Sequence, residues 1–461
     1  MTNRNPLKWK LKLTAEVAPG ESIECDVTQW ERADEATLGS LGLSIAEGKS
    51  ILAEVQLHMV AAQMEHHGQA RGACSHCGRK LPNKGHYRST FRSVFGNVAV
   101  RVRRVKACRS CGQKPVAPLF TRKSSAAPEL RYLNAKLAAL LPFGKVADFL
   151  NEVLPATAVT NAASVRNRAR RVGGCLLGDQ AKTAKARRPT PSKTLVIGLD
   201  GGYVKSNRPL AERHFEITAG KLLGENGECT RFAFATNEYE RGVRQIRHGL
   251  EELRVNDETK ITVLSDGDAG LRTVQWEVAP GSEHILDWFH IGMRFEHLLD
   301  ASKAIPKAAM APHVWEWAQD LATRAKWALW NGQADKTLRH LETLRNWTRS
   351  AGDPAPEVQR LRRWASDLLE YLRTNQDSLP NYGERRRAGK PISTGWVESA
   401  INEIIAKRMA KSQQMRWNRW TVQPFLAVRT AVLNETLTES FRDWFPGFRP
   451  AGTKDAERLV A

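Results

Sequence analysis

The spacing of hydrophobic and polar positions changes along the chain, and these changes divide it into several regions. Residues 1–70 are mixed in pattern and end in a predicted helix, where Ile45, Leu52, Val55 and Met59 recur at helical spacing. Nothing in this first region points to chemistry.

The next region alternates between apolar and basic residues, with a turn at Gly96-Asn97. This alternation predicts a β-hairpin with one packed face and one exposed face. The exposed face is expected to contact DNA through four arginines, namely Arg88, Arg92, Arg101 and Arg103.

Two Cys-x-x-Cys pairs flank this hairpin, and a glycine follows each pair. Four thiolates are the ligands of a tetrahedral structural Zn²⁺, so residues 71–118 are predicted to form a zinc ribbon. Four free thiols or a redox-active pair are the alternatives, and the matching context of the two pairs argues against both. The predicted zinc ligands are Cys74, Cys77, Cys108 and Cys111.

Residues 119–180 have a helical pattern with breaks at Pro142 and Pro155, and Gly173-Gly174 is expected to end the last helix. This pattern is compatible with a helix-turn-helix. A basic, solvated helix in a small packing domain is the alternative. Phosphate or base-edge contacts are expected from Arg166, Asn167, Arg170 and Arg171.

A basic linker without acidic residues is predicted over 181–193, and an α/β alternation follows it. The predicted order is three strands, helix, strand, helix, strand and helix, which is the order of a ribonuclease H-like fold. The predicted regions are a first part of this core (194–302), a helical insertion (303–390), and core completion with C-terminal helices (391–461).

The chain carries 70 Lys and Arg against 49 Asp and Glu, a formal net charge of +21. Such an excess predicts a polyanionic partner, and double-stranded DNA is favoured over a membrane surface because the basic residues are spread over several segments. No apolar run approaches the roughly 20 residues of a membrane span. A soluble, cytoplasmic and nucleoid-associated protein is therefore expected.

Acidic residues stand where two predicted strands and one helix begin or end: Asp200, Asp266 and Glu398. If they converge, their repulsion requires cations, and hard oxygen ligands favour Mg²⁺ or Mn²⁺. Three unrelated surface acids are the alternative. Asn402 lies one helical turn beyond Glu398 and is expected to share its face.

Four segments resemble the signature blocks of DDE transposases of bacterial insertion sequences, of the ISKra type and its ISL-like relatives. They read LDGGYVKS, LSDGDAG, ILDWFHIGMRFEHL and GKPISTGWVESAINEIIAKRMAKSQQMRW. The resemblance covers roughly residues 70–440, and the Thr-Gly-x-x-Glu-Ser block is its most specific part.

This resemblance implies a catalytic triad of Asp200, Asp266 and Glu398 that holds the catalytic metal ions. It also implies that Asp287 and His290 support the active site, although a packed core histidine is an alternative for His290. Asp268 is a rival for the second metal ligand, and Glu403 is a weaker rival for the third.

Together, these features predict a multidomain α/β protein with a ribonuclease H-like catalytic core and an all-helical insertion, preceded by the zinc ribbon and a helix-turn-helix-like DNA-binding region. The resemblance implies a transposase that binds element ends, hydrolyses phosphodiesters and joins 3′-hydroxyl ends to target DNA. A homodimer or higher oligomer is expected, because two element ends must be held together. A non-catalytic DNA-binding regulator and a metal-dependent DNA nuclease are the alternatives.

Overall fold

A computed structural model of the chain describes most of its residues, and it divides into two compact units. Unit 1 comprises residues 1–172 and 436–461, and unit 2 comprises residues 173–435. The described ranges are 7–18, 21–32, 37–39, 41–70, 72–115, 125–155, 160–180, 191–305, 312–350, 355–393, 395, 401–410 and 415–450.

Unit 1 begins with an amphipathic hairpin of β1 (Leu7–Ala18) and β2 (Glu21–Arg32). One face carries apolar residues, including the stacked rings of Trp9 and Trp30. The other face carries ion pairs across the strands, such as Lys8–Glu31 at 2.8 Å. The helix predicted near residue 45 follows as α1 (Ile45–Ala70), whereas sequence reasoning did not identify the hairpin.

The predicted basic hairpin consists of β3 (Asn83–Ser93) and β4 (Gly96–Val105). Val98, Val100 and Val102 on one face are buried against Val60 of α1. The alternation of apolar and basic residues is therefore correctly assigned to one packed and one exposed face.

Three helices follow, namely α2 (Pro128–Leu140), α3 (Phe143–Val153) and α4 (Ala162–Asp179). The predicted stop at Gly173-Gly174 is wrong, because α4 continues through both glycines. A Cβ atom on Gly173 would lie 1.8 Å from the Pro424 carbonyl oxygen. The glycine thus permits a close backbone approach and does not end the helix. Residues 181–190 of the predicted linker lie outside the described ranges.

Unit 2 contains a five-stranded mixed sheet in the order β7-β6-β5-β8-β9. β5 pairs antiparallel with β6 and parallel with β8, β6 pairs antiparallel with β7, and β8 pairs parallel with β9. The strands are β5 (Thr194–Lys205), β6 (His214–Gly224), β7 (Cys229–Ala235), β8 (Lys260–Ser265) and β9 (Glu283–Leu286).

The expectation that β5 ends at Asp200 is wrong, because the strand continues to Lys205 along its antiparallel partner β6. Its parallel pairing with β8 stops at Gly198. The two following glycines are sites of close approach: a Cβ on Gly201 would meet the Glu216 carboxylate at 2.3 Å, and one on Gly202 would meet Ile405 at 2.7 Å.

Helices cover the sheet. Apolar residues of β5, such as Ile197, pack with α5 (Tyr239–Glu252) and α6 (Ala269–Val278). On the face that Gly202 shares with Asp200 lies a π-helix (Asn402–Ala410), whose Ile405 approaches Gly202.

The predicted helical region is confirmed as helical, and its core joins α7 (Trp288–Lys303) to the helices that follow. These are α8 (Pro312–Trp330), α9 (Ala334–Ser350), α10 (Pro356–Thr374) and α11 (Tyr382–Arg387). Leucine and alanine fill the centre, and the tryptophans lie toward the edge. Trp317 is 37% exposed and Trp327 is 56% exposed, so these two large rings lie outside the core.

Two further helices end the described chain. α12 (Gln423–Leu433) packs on β7 within unit 2. α13 (Leu437–Trp444) packs on α2 within unit 1, and the Tyr132 hydroxyl is 2.9 Å from Thr438 Oγ1. The last helix thus groups with the front of the chain, whereas the sequence analysis grouped it with the core. In the described ranges, no helix combines the length and apolarity needed to cross a membrane.

We predict that Gly173→Ala destabilises the protein by about 2 kcal/mol or more, because its new methyl group would overlap the Pro424 backbone. Gly174→Ala is the matched control, since a Cβ atom at that position would have no heavy atom within 4 Å. The control should stabilise the helix by about 0.5–1 kcal/mol. Urea unfolding of both variants tests this, and equal effects would contradict a continuous α4.

Candidate active site and cysteine cluster

The four predicted zinc ligands converge in unit 1. Their sulfur atoms all lie within 4.8 Å of one another. The Sγ atoms of Cys74 and Cys111 are 3.6 Å apart, as are those of Cys77 and Cys108. With Zn–S bonds of about 2.3 Å, a tetrahedral site has sulfurs about 3.8 Å apart, so the cluster fits a zinc ion.

Each Cys-x-x-Cys pair is folded in the same way. The Cys74 N–H donates to the Arg79 carbonyl and the Gly78 N–H to the Cys74 carbonyl, at 2.8 and 2.9 Å. The second pair repeats both bonds, from Cys108 to Gln113 and from Gly112 to Cys108. Both glycines have a left-handed φ, +68° at Gly78 and +69° at Gly112, which explains the residue that follows each pair.

Backbone amides of the two turns point at the sulfurs. N–H groups of Cys111 and Ser110 lower the pKa of Cys108 to about 6, and those of Cys77 and His76 lower the pKa of Cys74. Because a thiolate is the metal-binding form, these turns prepare two of the ligands for a cation. The cluster therefore could hold a structural metal such as zinc.

Three aspartates of unit 2 lie in register across adjacent strands: Asp200 is within β5, and Asp266 and Asp287 directly follow β8 and β9. Gly198 of β5 pairs with Leu264 of β8, so Asp200 and Asp266 each lie two residues beyond this pair. Ser265 of β8 pairs with Leu286 of β9, so Asp266 and Asp287 each follow directly. Since neighbouring strands are about 4.8 Å apart, the register aligns the three acids in a row.

Asp200 is the acid at the centre of the sheet, and its side chain is almost fully enclosed. It is 9% exposed, and Oδ1 accepts a bond of 2.7 Å from the Gly201 N–H. Burial raises the pKa of Asp200 to about 6, with a further rise from Asp266 and Asp287, while His290 acts in the opposite direction. A buried carboxyl under this repulsion would be relieved by a cation.

The buried Asp287 and the half-buried His290 form a hydrogen-bonded pair at the start of α7. Asp287 is fully buried, and its Oδ1 accepts the Phe289 N–H at 2.9 Å while its Oδ2 lies 2.8 Å from His290 Nδ1. Burial alone would lower the pKa of His290, but the bond to Asp287 and the charges of Asp287, Asp200 and Asp266 raise it. The histidine thus belongs to the acidic group.

The rival second ligand has a different role. The Asp268 carboxylate caps α6, accepting from the Gly270 and Leu271 N–H groups at 2.7 and 3.3 Å. The Asp266 Oδ1 accepts only the Asp268 N–H, at 3.1 Å, among described residues. Glu216 is a further acid that the sequence did not indicate; burial, then Asp268 and Asp266, raise its pKa.

Glu398, the predicted third acid, lies outside the described residues. The half-buried Asn402 begins the π-helix. Its neighbour Glu403 is ion-paired with Arg231 at 2.9 Å and with Lys221 at 3.8 Å. Those two cations already neutralise Glu403. Among described residues, only the four cysteines bring three or more Cys, His, Asp or Glu ligand atoms within 4.8 Å, so the aspartates are more widely spaced.

Helical residues that sequence reasoning missed support the strand ends. The Tyr371 hydroxyl donates to the Asp266 carbonyl at 2.9 Å, and the Tyr382 hydroxyl donates to the Leu286 carbonyl at 2.8 Å. His284 links Ser265 and Ser378 through bonds of 2.9 and 2.7 Å. The sequence carried no signal for these contacts, because they join segments about 100 residues apart.

The predicted DNA-contacting arginines are mostly accessible. Arg88 and Arg101 are exposed and stand opposite each other across the hairpin, and Arg103 is half-buried. Arg92 is held by Ser125 Oγ at 2.6 Å and is the least available of the four. On α4, Arg166, Asn167 and Arg171 are exposed, and Arg170 is half-buried.

Comparisons with known proteins identify no family for this chain. No protein-family model and no curated protein matches it. Among solved structures, it is similar to one described as "Crystal structure of NurA with manganese", with 12% identity and a TM-score of 0.12. The match covers 58% of this chain and 60% of that one. A TM-score this low carries no argument about fold or function.

We predict that the purified chain contains about one zinc, by the four-ligand rule, and that Cys108→Ser removes it. Loss of the metal should expose the hairpin to protease, because this small element has little core of its own. Metal analysis with limited proteolysis measures both effects. Cys175→Ser, at an exposed cysteine outside the cluster, is the control. A zinc-free hairpin that resists protease as well as the wild type would contradict the assignment.

We also predict that Asp200→Asn stabilises the zinc-loaded protein when no other divalent ion is present. The pKa of Asp200 is about 6 in the folded state, compared with its ordinary 3.8. The free energy of unfolding of the wild type therefore falls as the pH rises from about 4 to about 6. The variant should gain about 2–3 kcal/mol on the wild type at pH above about 7, and almost nothing near pH 4. Denaturant unfolding across this pH range measures the difference. A variant less stable than the wild type at pH 7.5 would show that Asp200 is not under this repulsion.

Proposed function

We propose that the protein is a DDE-type DNA transposase, which cuts the ends of a mobile element and joins them to target DNA. The observation that carries this proposal is the alignment of Asp200, Asp266 and Asp287 on three adjacent strands, with His290 bonded to the last of them. Two of these three acids are buried, which is costly for stability alone, and functional sites are where such perturbed groups cluster.

The sheet supports a ribonuclease H-like core within this proposal. Its first three strands in sequence form an antiparallel meander, and the next two add parallel on the other side of the first strand. The sequence predicted the order of these strands and helices along the chain. Catalytic acids in such a sheet would lie near the point where the parallel pairing stops: Asp200 lies two residues past the last β5–β8 pair, and Asp266 directly follows β8.

Asp200 and Asp266 are the side chains proposed to hold the catalytic Mg²⁺ or Mn²⁺. The donor set fits, because carboxylate oxygens are the preferred ligands of hard cations, and burial leaves the Asp200 charge poorly solvated. Bound in this way, the ions would activate the attacking oxygen and stabilise the leaving oxygen of a phosphodiester.

Glu398 is proposed as the third ligand. It is three residues before Ile401, whose side chain would lie 3.4 Å from a Cβ atom on Gly202. A glutamate offers the same hard oxygen donors as the two aspartates. Glu403, which is already ion-paired, is the weaker choice.

The Asp287–His290 pair is proposed to hold a proton close to the reacting phosphodiester. Asp287 is fixed as the cap of α7, so its bond to Nδ1 leaves Nε2 of His290 for the acidic group. Because the raised pKa favours the protonated ring, His290 can hold a proton near the departing 3′-oxygen. Water would first displace that oxygen at the element end, and the freed 3′-hydroxyl would then displace a 3′-oxygen of the target.

DNA contacts are proposed for unit 1. Arg88 and Arg101 face each other across the hairpin, and such like charges repel unless a polyanion lies against them. The exposed Arg166 and Asn167 of α4 are suited to base edges and phosphates. The net charge of +21 is consistent with double-stranded DNA, and a dimer that holds two ends is part of this proposal.

The experiment that tests the function uses a labelled element end with plasmid target in Mg²⁺. Joined product supports a transposase, cleavage without joining supports a metal-dependent nuclease, and binding alone supports a non-catalytic regulator. The element end is identified from inverted repeats that flank the gene.

We predict that Asp200→Asn, Asp266→Asn and Glu398→Gln each lower cleavage and joining by at least about 10²-fold with folding and end binding retained, because a lost ligand displaces the reacting groups. Gel assays of cleavage, joining and end binding measure this.

Asp268→Asn is the matched control, since asparagine also caps helices and the change removes the same charge. Glu403→Gln should weaken the Arg231 pair and lower stability, yet retain catalysis. An inactive Asp268→Asn beside an active Asp266→Asn would move the second ligand to Asp268.

A further inference from the structure

Arg294 is a cation beside the acidic row that the proposed mechanism does not use. It lies on α7 one helical turn after His290, so both side chains share a face. The described structure gives its guanidinium no carboxylate within 4.0 Å, although Asp266 and Asp287 are close by. An arginine in an acidic site without an ion pair needs an explanation.

The Tyr371 ring holds Arg294 in place. The guanidinium carbon lies 4.0 Å from the ring centroid, and the Tyr371 hydroxyl donates to the Asp266 carbonyl at 2.9 Å. Stacking on a ring fixes the guanidinium plane and leaves its N–H edge free for other acceptors. The same tyrosine thus ties Arg294 to the strand end that bears Asp266.

A phosphodiester meets an electrostatic obstacle at this site. Five acids interact electrostatically at this site, namely Asp200, Asp266, Asp268, Asp287 and Glu216. Their negative charges repel a nucleic-acid backbone. His290 is already bonded to Asp287. Among the described residues, Arg294 is therefore a strong cation at this point that no carboxylate pairs with, and only the Tyr371 hydroxyl competes for its donors.

We propose that Arg294 binds a backbone phosphate of the DNA strand in the active site, held by its stack on Tyr371. Guanidinium edges bind phosphate oxygens in a two-bond fork, which would set the strand's position as well as attract it. This inference rests on the proposed function for the identity of the ligand.

The test compares full-length wild type, Arg294→Gln and Arg324→Gln. Arg324 is an exposed residue of α8 paired with Asp320, so its replacement removes the same charge away from the site. Two measurements are made: binding of a 30-base-pair duplex over a salt series in Ca²⁺, and nicking of supercoiled plasmid in Mn²⁺. Thermal unfolding checks that each variant is folded.

Arg294→Gln should lower the slope of log affinity against log salt by about 0.9, the value for one phosphate contact, and slow nicking by about tenfold or more. Arg324→Gln should change neither. A merely structural role for Arg294 would lower the unfolding temperature and leave the salt slope at its wild-type value. If Arg294→Gln shows both the salt slope and the nicking rate of the wild type, the inference is overturned.

If Arg294→Gln does not fold, Arg294→Lys takes its place, because lysine keeps the charge and loses the fork. Arg294→Lys should keep the wild-type salt slope and still slow nicking by about tenfold. A wild-type rate of nicking for this variant would overturn the inference. Failure of the proposed function is separate: the wild type would then nick no plasmid, and the salt slope alone would decide the role of Arg294.

Discussion

Repulsion among carboxylates in a poorly solvated place is the constraint on which the rest of unit 2 depends. The register of three parallel strands aligns Asp200, Asp266 and Asp287, and the first and last of them are buried. Burial raises the pKa of Asp200 to about 6, a cost of stability that folding alone does not need. His290 lowers the pKa of Asp200 and so opposes this rise only in part, which leaves the row suited to divalent ions.

The helices α10 and α11 hold the backbone beside Asp266 and Asp287 in position. Tyr371 and Tyr382 bond to the backbone at Asp266 and Leu286, so the helical core fixes the strand ends from outside the sheet. In unit 1 the difficulty is stability, because the small hairpin of β3 and β4 has little hydrophobic core. Two identical cysteine turns supply that stability if a metal occupies them. We therefore propose two kinds of cation site, with oxygen ligands in unit 2 and sulfur ligands in unit 1.

Local patterns were enough to predict much of this arrangement. The Cys-x-x-Cys spacing gave the cluster, the alternation around Gly96 gave the hairpin, and the strand-helix order gave the sheet. Gly173 was misread as a helix end, because it permits a close backbone contact with Pro424 in a distant segment of the chain. For the same reason Tyr371, whose partner is 105 residues away, carried no sequence signal. The roles of Asp200 and Asp266 as metal ligands remain a prediction.

The central claim is that Asp200 and Asp266 share a divalent ion, and the most direct test is crystallographic. Crystals of the full-length protein grown with Mn²⁺ would be measured at a wavelength where manganese scatters anomalously. The account predicts an anomalous peak bonded to a carboxylate oxygen of each aspartate, at about the 2.1 Å typical of small octahedral cations, with Glu398 as a further ligand. Manganese bound elsewhere, with the Asp200 carboxyl free of metal, would contradict the account.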